Sequence, residues 1–99
     1  MDVYLEEKTI RRDRQFITVA TEFNYRHIKK LDDGKQYLSF VADWTIDCDN
    51  LTVKVNRGAY WSKLKHKGDL VLKFQDLPAN WEPIIPSSHL DLIYNKVCF

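Results

Sequence analysis

Between Leu38 and Cys48 apolar and polar residues alternate, with Leu38, Phe40, Ala42, Trp44, Ile46 and Cys48 on one parity and Ser39, Val41, Asp43, Thr45 and Asp47 on the other. Successive side chains of a strand point to opposite faces, so this run predicts a strand with one apolar and one wet face. Leu51, Val53 and Val55 alternate with Thr52, Lys54 and Asn56, and Leu70, Leu72 and Phe74 with Val71, Lys73 and Gln75, giving two more strands. The segment Phe16–Ile28 fits both periods. Phe16, Val19, Ala20, Phe23 and His27 form a helical stripe, whereas Ile17, Val19, Thr21, Phe23 and Tyr25 form a strand face. Its β-branched and aromatic content, and the Asp33-Gly34 turn that follows, favour the strand. Val3, Leu5 and Ile10 predict an edge strand in the first dozen residues, and Tyr60–Leu64 reads as a short strand or a single helical turn.

Gly34, Gly58 and Gly68 all read as reversal points, because glycine tolerates the positive φ of tight turns. Pro78, Pro83 and Pro86 exclude a central strand or a long helix between Gln75 and Ser88. The tail then predicts a short helix capped by Ser87 or Ser88, with Leu90, Ile93, Tyr94 and Val97 on one face; a strand using Leu90, Leu92 and Tyr94 is the alternative. The expected fold is mainly β (β-rich α+β): a single small domain over residues 1–99, an antiparallel meander or open barrel of about 4–6 strands, with a proline-containing loop and a short C-terminal helix.

Composition adds limits. The chain is 44% apolar and 29% charged, an ordinary soluble balance. Fifteen Lys and Arg oppose fourteen Asp and Glu, so the formal charge is +1 and bulk attraction to phosphate is small. The single methionine is Met1, which reads as a native start, and the acidic opening Met1–Glu7 does not resemble a signal segment. No apolar run approaches a membrane span. The expectation is a cytoplasmic protein, in the host cell cytoplasm if viral, with Cys48 and Cys98 reduced; a disulfide between them is the alternative.

Catalytic chemistry finds no support. Asp43, Asp47 and Asp49 share a parity and read as a solvated acidic face. His27, His66, His89, Cys48 and Cys98 lack the closely spaced ligand pairs of a zinc site. Ser87-Ser88-His89 reads as a cap and turn. No enzyme activity, metal or cofactor is expected.

Binding is the remaining class. The loop Asp76–Pro86 holds Leu77, Trp81, Ile84 and Ile85, apolar residues that are costly to leave in water and are the candidate partner-binding set. The reading is a small non-enzymatic binding module acting through protein–protein contacts: an inhibitor, an immunity-like factor or a viral or phage accessory protein, with a protein or a second copy of itself (a homodimer) as partner and no membrane. The alternative is a single-stranded nucleic-acid-binding domain using Tyr60, Trp61, Lys63, Lys65 and Lys67, where bases would stack and phosphates meet lysines. Arg11, Arg12, Arg14, Arg26, Lys29 and Lys30 would extend that patch if the fold gathers them.

Overall fold

The computed structural model describes residues 2–75 and 80–99. Five long strands run antiparallel in chain order: β1 (Asp2–Asp13), β2 (Phe16–Lys30), β3 (Gln36–Asp47), β4 (Thr52–Lys63) and β5 (Lys67–Gln75). The two-residue β6 (Glu82–Pro83) pairs with the start of β4, and α1 (His89–Val97) closes the chain. This is the expected β-rich meander, open at both edges, and the ambiguous segment Phe16–Ile28 lies wholly within β2. Tyr60–Lys63 continues β4, and Pro83 occupies a short edge strand, where a missing N–H is tolerated.

Register places the core. Phe23 pairs with Phe40 and Phe40 with Tyr60; Ile17 pairs with Ile46 and Ile46 with Val53. Directly paired residues share a face, so these side chains form one continuous apolar surface. At one end α1 covers it: Ile93 and Tyr94 are buried against Val19, Ile46 and Val53. Ser88 caps the helix by accepting from the Asp91 N–H, and Asp91 accepts the Ser87 N–H in return. At the other end the aromatics cover one another, with ring centroids 4.4 Å apart for Phe40–Tyr60, 4.7 Å for Tyr37–Tyr60 and 6.1 Å for Phe23–Phe40.

Two expectations need correction. Cys48 and Cys98 are bonded, S–S 2.05 Å, and the bridge ties the end of α1 to the exit of β3 across 50 residues of sequence. Gly58 lies inside β4 and turns nothing; a Cβ there would meet the rings of Phe40 and Phe74, each at 2.7 Å. It is glycine because two rings pack over its backbone. The turns are made elsewhere, by Arg14, Gly34, Leu51 and the pair Lys65–His66, all at positive φ.

Three measurements test this packing. Gly58→Ala should lower stability by about 1–3 kcal/mol in urea denaturation, and shortening Phe74 to Leu in the same chain should restore part of the loss. Cys98→Ser should destabilise by about 4 kcal/mol, the entropy of a loop this long, and increase binding of a hydrophobic dye as α1 detaches. The Tyr25 hydroxyl is pushed from 10.0 up to about 12, first by burial and then by Tyr37 and Tyr60. The folded state therefore holds this proton more tightly, so its stabilising contribution is complete below pH 10 and is lost as pH rises from 10 towards 12. In Tyr25→Phe this part of the alkaline decline should vanish in a pH series of denaturation midpoints.

Candidate functional site

The face of the sheet opposite α1 is the polar one. Its ladder rows are Arg11–Thr18–Thr45–Lys54, then Glu6–Ala20–Asp43–Arg57–Gln75, then Glu22–Val41–Ala59–Lys73. Small side chains at Thr18, Ala20 and Ala59 keep the floor low between charged neighbours. Three adjoining hollows result. They share Thr18 and Asn56 at one junction and Ala20, Asp43, Arg57 and Gln75 at the other, so they form one groove.

At one end of the groove the β4–β5 turn folds back over the face. Ser39 donates to the Lys63 carbonyl and accepts the His66 N–H, while Asn24 accepts the Lys65 N–H. The His66 ring meets Glu22 beside them. Midway, Arg57 pairs with Asp43. Asp47 takes no part in the groove: it accepts the Asp49 and Asn50 N–H groups and the Asn50 amide, shaping the β3–β4 turn. The Asn50 hydrogen bond holds its carboxyl below the usual carboxylate range. The acidic parity of the sequence thus resolves into an ion pair at Asp43 and a turn former at Asp47. Among the described residues no group of three or more His, Cys, Asp or Glu could hold a metal ion.

The other end of the groove carries Trp81. Its ring lies 5.9 Å from Phe16, and the Lys54 Nζ sits 4.9 Å from its centroid. Trp81 is 40% exposed and Ile85 67%, Ile84 is half-buried, and Leu77 lies outside the described residues. Leu92 and Phe99, beside α1's buried stripe, add further exposed apolar surface. Sequence reasoning missed Thr18, Thr45 and Lys54 as neighbours of Trp81. Their wet-face parity was visible, but strand register was not.

The basic-aromatic reading fails geometrically. Adjacent residues of a strand face opposite ways, and Tyr60 stacks into the aromatic cluster with its hydroxyl pushed up by burial and by Tyr37. Trp61 lies on the other face with its indole N–H buried. Lys63, Lys65 and Lys67 therefore surround a turn where Trp61 packs edge-on to His66, with Tyr60 turned to the opposite face, so the two aromatics of the sequence form no joint platform. Arg11, Arg12 and Arg14 sit by the β1–β2 turn, at the opposite end of the sheet from the β4–β5 turn, and cannot extend that patch.

Comparison with known proteins places the chain. A family profile described as surface-adhesin protein E matches residues 1–99. Crystal form II of Haemophilus influenzae protein E has a TM-score of 0.70 at 14% identity, covering 97% of this chain and 79% of that one. The selenomethionine form of the same protein gives 0.70 at 13%, covering 97% and 78%. Protein E from non-typeable Haemophilus influenzae gives 0.64 at 14%, covering 97% and 68%. No curated protein matches. The family match overturns the cytoplasmic placement, the viral or phage accessory reading and the nucleic-acid alternative. The disulfide agrees with that correction, since such bonds persist in oxidising surroundings outside the cytosol.

Proposed function

Since this chain belongs to the surface-adhesin protein E family, we propose that it is displayed on a bacterial surface and adheres to host surfaces by binding a protein there, without enzymatic turnover. The family match across residues 1–99 carries this reading. The groove face supports it. That face needs no cover, because its side chains are mostly polar, and it offers a half-exposed Trp81 rimmed by charge, the composition of a contact site with an apolar centre and a wet edge. The exposed Ile85, Leu92 and Phe99 are a second place where a partner, or another copy of the chain, would gain apolar contact.

Beads coated with the purified chain should adhere to epithelial monolayers well above albumin-coated beads, and protease treatment of the monolayer should remove that difference. On intact bacteria producing the protein, an antibody raised against the folded chain should bind without permeabilisation. Adherence no better than albumin, with no antibody binding to intact cells, would end the adhesin reading.

A further inference from the structure

We propose that the Trp81 end of the groove is a subsite for an anionic saccharide, a chain bearing sulfate or uronic acid groups and carried by the host protein that is bound; this rests on the adhesin reading and gives it a ligand class. The hollow there has a volume of about 380 Å³, and the side chains that matter in it are Arg11, Thr18, Thr45, Lys54, Asn56 and Trp81. That lies within the ~300–1,000 Å³ usual for small-ligand sites.

Two cations on this face, Arg11 and Lys54, stand against one carboxylate, Asp13, in a chain whose total charge is only +1; Arg12, opposite Ile17, turns its guanidinium to the Val97 carbonyl at the end of α1. Among the described residues no carboxylate lies within ion-pair distance of Arg11, Arg12 or Lys54. Midway along this face, by contrast, Arg57 is paired with Asp43. The Arg11 guanidinium is held by carbonyls instead, donating to Lys8 and Ile10. A guanidinium has five N–H donors, so Arg11 keeps some for a planar or tetrahedral oxyanion.

The neutral groups select the ligand further. Asn56 Nδ2 donates to Thr45 Oγ1 at 2.8 Å, which leaves the Asn56 carbonyl to accept and the Thr45 hydroxyl hydrogen to donate. Thr18 adds an exposed hydroxyl. Hydroxyls, an amide, an exposed indole and unpaired cations together suit a ligand with hydroxyls, an apolar ring face and anionic substituents. A peptide that binds by pairing its backbone at a sheet edge has no partner here, since this floor is a sheet face whose backbone groups are already spent on the ladders. The groove continues past Thr18 and Asn56 towards Arg57, so a chain longer than one sugar has a path.

The test is calorimetric titration of the purified full chain with a heparin-derived octasaccharide at several salt concentrations. Saturable binding that weakens with salt is expected, reduced at least tenfold in Arg11→Glu and in Trp81→Ala, with unchanged circular dichroism. Lys35→Glu, in the exposed β2–β3 turn outside the groove, should bind as the parent does. A desulfated octasaccharide should bind at least tenfold more weakly. If Trp81→Ala fails to fold, the exposed Arg11→Glu still decides. Absent binding, binding insensitive to Arg11→Glu, or equal affinity for poly-L-glutamate would each overturn the subsite. Coated beads that still adhere to cells, while the octasaccharide does not bind, refute the subsite and leave the adhesin reading standing; beads that adhere to neither treated nor untreated cells remove both.

Discussion

A meander of five strands has one apolar face and nothing of its own to put over it, and among the described residues the nine of α1 are the helix available for the task. A helix of that length is marginal in water by itself, since nucleation costs more than two turns return. Its position depends on the covalent tether. Cys98 follows directly on α1 and Cys48 directly on β3, so the bridge confines α1 beside the sheet and lowers the entropy lost when Ile93 and Tyr94 dock. The Tyr94 hydroxyl then reaches the Cys48 carbonyl at 3.3 Å, fixing the helix beside its own anchor. What α1 cannot reach, the rings of Phe23, Phe40, Tyr60 and Phe74 cover by stacking on each other, and Gly58 is the clearance they need.

That division leaves the second face open to water. Among the described residues it is covered at its ends: Trp81 packs against Phe16 and Lys54 at one, and at the other the β4–β5 turn lies over Asn24 and Ser39, both buried, through hydrogen bonds of Ser39 and Asn24. Buried polar atoms of this kind are tolerable because they are paired. The rest of the face stays free, walled by the long side chains of edge strands and floored by Thr, Ala and Val. An adhesive surface made this way does not conflict with stability, because the core lies on the other side of the sheet.

The fold was legible because period-two alternation survives in β3, β4 and β5, and because Ser88 and the stripe Leu90, Ile93, Tyr94 and Val97 announce a capped helix. The tether was not. Cys48 sits on the apolar parity, as a reduced core thiol also would, and only three-dimensional approach separates the two states. Gly58 misled for a related reason. A glycine that makes a turn and one that makes room for a ring are identical in sequence, and the rings over Gly58 come from β3 and β5. The groove was beyond reach altogether, since it depends on which wet-face residue of one strand stands beside which of the next.

Charge shows the same limit at the level of function. A total of +1 excludes a protein that attracts anions over its whole surface, and it says nothing about how the charges are spread. Here the folded chain sorts them. In the middle of the groove an acid and a base face each other and cancel, Asp43 and Arg57. The bulge in β1 between Glu6 and Arg11 shifts the register just where the edge strand turns from acidic to basic, bringing Arg11 opposite Thr18. Without that shift the residues opposite Thr18 and its neighbours would differ, and the cations would stand elsewhere along the edge. A local excess of positive charge beside Trp81 is thus a consequence of register, set by one bulge, in a chain that is nearly neutral overall.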